Sequence, residues 1–128
     1  MLETETKDIL RFNAEGVKPI DMFMNAKLAC LTAVEEFTAK HGEPMYCGFG
    51  NVRIKPARGR FVKYLKSIGV GGTQDWGGGG YRISYYDIMR GQPFGHTQSM
   101  DLKEIGCQAF ADVLRNHSIK AFMESRPD

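Results

Sequence analysis

The sequence predicts a single α+β domain: an antiparallel sheet with two helices on one face, preceded by an extra N-terminal helix. Two observations carry this reading. Apolar residues recur with helical spacing in three separate stretches, and short runs with strand-like alternation stand before, between and after the last two of them. At 128 residues the chain suits one domain and can bury one sizeable core. Segments 1–18 (acidic N-terminal segment), 19–42 (N-terminal helix) and 45–124 (α+β core) organise it.

The first helix is expected over Asp21–His41, with Asp21 as N-cap behind Pro19. Phe23, Ala26, Cys30, Ala33, Val34 and Phe37 form its apolar stripe, and Gly42 and Pro44 end it. MYCGFGNVRI then reads as a strand that sends Val52 and Ile54 to one face and Cys47, Phe49, Asn51 and Arg53 to the other. Pro56 breaks it. ARGRFVKYLKSI follows as a short helix with Ala57, Phe61, Leu65 and Ile68 inward and Gly69 closing it.

YRISYYDI, after a run of four glycines, reads as a second strand. A short third strand is placed near His96–Gln98, after the turn signals of Gly91, Pro93 and Gly95. SMDLKEIGCQAFADVLRNHSI is the clearest helix, with a capping-box-like Asp101 and Glu104 and Leu102, Ile105, Ala109, Val113 and Leu114 on its buried side. IKAFME closes as a strand. The order β-α-β-β-α-β is the split, ferredoxin-like arrangement. Without the third strand, a three-stranded α/β layer is the alternative.

The glycines of DWGGGGYRISYY pose a functional question. A phosphate-cradling loop lies between a strand and the N-terminus of a helix, where free N–H groups and the dipole hold the anion. Here the glycines follow a helix and precede a strand, the reverse order. They read as a loop whose Trp76 either packs down or serves as an exposed contact.

Composition excludes several classes. No apolar stretch reaches the roughly 20 residues of a membrane span, and the acidic start lacks the layout of a signal peptide, so a cytoplasmic location is expected. Cys30, Cys47 and Cys107 are odd in number and scattered, as are His41, His96 and His117, so neither a disulfide framework nor a metal centre is expected. No cofactor motif is found. A homo-oligomer is compatible with the sequence.

Charge is more informative. The net charge is only +2, yet Arg53, Lys55, Arg58, Arg60, Lys63 and Lys66 cluster in one strand-helix unit without an acid. Solvated faces usually mix signs, so this unit points to an anionic partner, a nucleic acid or nucleotide. Alternation adds Phe49 and, from the second strand, either Arg82 with Tyr86 or Tyr81 with Tyr85 to the same sheet face. Cations follow phosphates and rings stack bases. A competing expectation is that the long first helix covers that face.

An enzyme reading rests on Cys47 and His96, which neighbouring strands would bring together as nucleophile and base, with Gln98 or Asp87 orienting the imidazole. Cys47 lies in a strand rather than at a helix N-terminus, where its thiol would be activated. The primary expectation is therefore a non-enzymatic binding module that uses Phe49, Arg53, Lys55, Arg58, Arg60, Lys63 and Arg82. A host-protein-binding inhibitor is the alternative, and a cysteine-dependent hydrolase ranks lower.

Two resemblances accompany these readings. CGFGNVRI resembles the third-strand octapeptide of RNA-recognition domains through Gly48, Phe49, Gly50 and Val52. It departs at Cys47, Asn51 and Ile54, which removes a basic residue and stacking rings on which RNA reading depends. The glycines alternatively let a helix approach the sheet. From Tyr46 onward, CGFGNVRIKPARGRFV, TQSMDLKEIGCQAFADVL and SRPD are similar to small uncharacterised proteins of tailed phages. That resemblance implies an accessory protein acting in the host cytoplasm on nucleic acid, nucleotides or a host protein, such as a host-takeover or anti-defence factor. It implies no catalytic residue.

Overall fold

The computed structural model describes residues 17–75 and 77–128; the acidic start as far as residue 16, and Trp76, lie outside the described residues. Helix α1 spans Pro19–His41, beginning slightly before the capping argument places it. Lys18 is the N-cap and offers no side-chain hydrogen bond. Pro19 begins the helix without loss, because a first-turn N–H has no helical partner in any case. Asp21 lies in the first turn, where the dipole favours an anion. The expected stripe is buried through Phe23, Ala26, Cys30 and Val34, joined by Met22.

Strand β1 spans Gly48–Ile54 and helix α2 spans Arg60–Ser67. The helix is shorter than its apolar spacing suggests, because Gly59 sits at φ 107°, outside helical dihedrals. Its buried face is Phe61, Val62 and Leu65. Ala57 is half-buried and packs on the core from the preceding turn, whereas Ile68 is exposed.

Strand β2 is Gly72–Thr73 and strand β3 is Tyr81–Ser84. The run expected to stay extended through Ile88 instead turns helical, because the Ser84 hydroxyl accepts the Asp87 N–H and caps helix α3, Tyr85–Ile88. Tyr85, Ile88 and Met89 are then buried at helical spacing. No strand forms at residues 96–98. The segment leads into one isolated bridge, Cys47 with Ser99, and the remaining sheet strand is β2 instead.

Helix α4 spans Met100–Asn116, and strand β4 spans Ala121–Pro127, longer than expected. The α4 cap is Ser99, whose hydroxyl accepts the Leu102 N–H at 3.4 Å, and not Asp101. The buried face is also rotated from the expected one. Leu102 and Leu114 are buried as expected, but Lys103, Gly106, Cys107, Phe110 and Ala111 take the places assigned to Ile105, Ala109 and Val113. The cause is α1, which crosses α4 where Gly106 has no side chain. A Cβ there would stand 2.8 Å from Cys30 Sγ, 3.0 Å from Val34 Cγ2 and 3.1 Å from Tyr85 Cε1.

Overpacking of this kind costs about 1–3 kcal/mol. Gly106→Val is therefore expected to lower the thermal midpoint of unfolding despite the better helix propensity of valine, and an unchanged midpoint would contradict the crossing.

The result is an α+β protein with a four-stranded sheet in the order β2-β3-β1-β4, every neighbouring pair antiparallel. Four strands replace the three-stranded alternative. Val52, Ile54, Tyr81 and Ile83 meet Leu65, Phe110 and Leu114 in one core, and Phe23 closes it with its ring edge-on to Phe110 at 6.0 Å. Helix α1 packs against α4 and α2.

Candidate functional site: the basic and aromatic sheet face

Alternation along β1 sends Val52 and Ile54 into the core and Phe49, Asn51 and Arg53 to the opposite face. The register then fixes the neighbours of each. Phe122, Arg53 and Arg82 form one rung, Glu124, Asn51 and Ser84 the next, and Arg126 with Phe49 the third. Of the two tyrosine sets open in the sequence, Arg82 and Tyr86 are exposed, whereas Tyr81 and Tyr85 are buried. Burial also raises the pKa of both buried phenols.

Arg53 does not present its charge to solvent. It is 4% exposed, its Nε donates to Glu124 Oε1 at 2.9 Å, and its Nη1 donates to the carbonyl oxygens of Gly77 and, at 3.0 Å, Gly79. Asn51 Nδ2 donates to the same Glu124 oxygen at 3.1 Å. The glycine run is thus an arch fastened to the sheet by a guanidinium. Gly77, Gly78, Gly79 and Gly80 all have positive φ, which side chains rarely adopt, and a Cβ on Gly80 would press on the Ile54 carbonyl at 2.8 Å. Their role is close backbone approach.

The other expected cations divide into two groups. Lys55 is half-buried, with its ammonium 5.4 Å from the Phe122 ring centre. Arg82 lies exposed on the sheet face, while Arg58, Arg60 and Lys63 lie exposed at and along α2. Lys66, on the last turn of α2, stands 6.0 Å from the Tyr81 ring centre.

Three contributors come from the last strand, beyond what the sequence argument assigns. Arg126 holds its guanidinium 4.8 Å from the Phe49 ring centre, and Phe122 and Glu124 complete the rungs. The alternation in AFMESRP would have placed all three on one face had the strand been extended past Glu124.

A fourth is Lys103, only 1% exposed. Beyond Ser84 the edge of β1 has no β3 partner, and the Lys103 ammonium occupies the gap. It donates to the Gly48 carbonyl at 2.6 Å and to the Tyr86 hydroxyl at 2.8 Å. The Tyr86 and Phe49 ring centres lie 4.6 and 5.5 Å away. No carboxylate pairs with it among the described residues. The ring quadrupoles and the two oxygens partly compensate the burial of its charge. Gly48 and Gly50 make the approach of α4 possible: a Cβ on Gly50 would stand 2.7 Å from Lys103 Cβ, and one on Gly48 2.6 Å from the Met100 sulfur.

Cys47 and His96 are not joined by a hydrogen bond among the described residues. The exposed Cys47 thiol donates to the Met45 carbonyl at 3.5 Å. His96 lines a cleft beside Tyr86, Arg90 and Gln98. Asp87 is engaged by Arg90 at 2.9 Å and by the Gly71 N–H at 3.3 Å. The other thiols are buried, which pushes Cys30 up to about 12 and Cys107 well above its ordinary value. No group of three or more metal-ligating side chains occurs among the described residues, and no described helix is long and apolar enough to cross a membrane.

No family model, curated protein or solved structure matches the chain.

Proposed function

We propose that the chain is a non-enzymatic binding module for an anionic partner, single-stranded nucleic acid or a nucleotide, and that it serves as an accessory protein of the kind tailed phages encode. The single observation that carries this reading is the sheet face opposite the helices. Helix α1 packs on α4 and α2, while Arg82 and Arg126 stand exposed beside the half-buried rings of Phe49 and Phe122. Guanidinium groups on that surface meet phosphates, and the rings offer platforms for bases. The strand order β2-β3-β1-β4 with antiparallel pairing supports placing the fold among ferredoxin-like arrangements, which leave one sheet face open.

The test is binding of a short labelled single-stranded oligonucleotide, measured by anisotropy across a salt series. Arg82→Ala combined with Arg126→Ala removes two exposed charges, so folding is expected to survive. The slope of log affinity against log salt should fall by up to roughly 0.7 for each phosphate no longer neutralised. No oligonucleotide binding by the parent protein at low salt would overturn the nucleic-acid reading of this face.

A second reading has its own observation. Ile20, Met24 and Leu28 form a row on α1 at 47%, 56% and 62% exposure, an apolar stripe suited to a protein partner. A host-protein-binding inhibitor would use it. Retention of biological activity in Arg82→Ala/Arg126→Ala, with loss in Met24→Ser/Leu28→Ser, would favour that reading.

A further inference from the structure

The order required of a phosphate cradle, strand then loop then helix N-terminus, is absent at the glycine run but present elsewhere in the chain. It occurs at β1, Lys55–Gly59 and α2. Helix α2 begins without a side-chain cap, because its N-cap is Gly59, and its first turn holds no acid. Its first helical hydrogen bond runs from the Lys63 N–H to the Gly59 carbonyl at 2.9 Å, so the N–H groups of Arg60, Phe61 and Val62 lie ahead of the ladder. Arg58 and Arg60 flank this end, where the helix dipole disfavours cations, and neither makes an ion pair among the described residues.

A cavity of about 240 Å³ opens at this helix end, lined by Arg58, Arg60 and His117 and walled by Met22, Ile54 and Ile119. No acidic side chain lines it among the described residues. His117 provides the independent sign of a ligand. It is 5% exposed, and its Nδ1 has no hydrogen-bond partner among the described residues, which is costly for a buried polar atom. Burial also lowers its pKa and so favours the neutral ring.

We infer that this cavity is a phosphate site. Phosphate oxygens would accept the N–H groups of Arg60, Phe61 and Val62 and pair with the Arg58 and Arg60 guanidiniums. His117 would complete its hydrogen bonding with the phosphoester or a water that the phosphoester orders. The inference rests on the anion-binding reading and deepens it, since it names the chemical group and the residues that hold it. The phosphate belongs either to a small phosphoester such as a nucleotide or to the backbone of a strand.

The test uses inorganic phosphate as the probe, titrated against chloride at constant ionic strength and followed by amide and imidazole nuclear magnetic resonance. Saturable shifts are expected at Arg60, Phe61, Val62 and the His117 ring. The affinity should fall at least tenfold in Arg58→Ala/Arg60→Ala. Arg60→Glu, a single change at an exposed position, should abolish binding by placing a carboxylate at the same helix end. Absent shifts, shifts spread evenly over the surface, or equal affinity in the double variant would overturn the site.

The two phosphate sources separate in the same variants. Loss of phosphate and nucleotide binding with oligonucleotide affinity unchanged supports a free phosphoester, and parallel loss supports a strand backbone. Oligonucleotide binding without phosphate shifts overturns this site alone. Phosphate shifts without oligonucleotide binding overturn strand binding on the sheet face and leave this site standing.

Discussion

Phe110→Ala is expected to remove about 3–5 kcal/mol of stability, the usual range for deleting a buried aromatic side chain. Phe110 is fully buried on α4 and lies edge-on to Phe23 across the α1–α4 crossing. Truncation leaves a cavity that neither helix can collapse into, because the glycine contact at Gly106 already holds them at close approach. Val113, one turn further and only half-buried, should tolerate alanine at a cost of roughly 1 kcal/mol. Urea denaturation of the two variants measures the difference directly. Equal losses would return the buried face of α4 to the Ile105, Ala109 and Val113 stripe that the sequence suggests.

Phe49→Ala is expected to weaken single-stranded oligonucleotide binding by about 5- to 150-fold, the equivalent of the 1–3 kcal/mol that one base-stacking ring contributes. Phe49 is the ring around which the uncovered face is organised, with Arg126 over it and the Lys103 ammonium beside it. The loss should appear at low and high salt alike, because stacking is not screened, whereas loss of Arg82 and Arg126 should matter most at low salt. Phe49→Tyr keeps a ring and should retain most of the affinity. Unaltered affinity in Phe49→Ala would remove the stacking component of the proposal.

The helices α1, α2 and α4 and the strand β1 were legible in the sequence because their signals are local: periodic apolar residues, Gly and Pro stops, and alternation between breakers. The direction of Phe49, Asn51 and Arg53 away from Val52 and Ile54 was legible for the same reason. A strand fixes which residues share a face without reference to anything distant. Element ends were less legible, since Ser84 and Ser99 cap through hydroxyls whose use depends on where the chain turns next.

Tertiary structure alone decided which of these residues reach solvent. A pattern of charge places Arg53 on the surface, yet Glu124, 71 residues away in sequence, and two glycine carbonyls bury it. Apolar periodicity assigns Ile105 to the core of α4 and overlooks Lys103, whose long stem lies over Gly50 while its ammonium closes the edge of β1. Likewise, no local signal says whether a long apolar helix covers a sheet. Helix α1 packs on α4 because Gly106 allows close contact there, and that choice leaves the face with Arg82 and Arg126 open. The sequence determines local periodicity and therefore faces; burial depends on partners distant in the chain, which only the packed fold brings together.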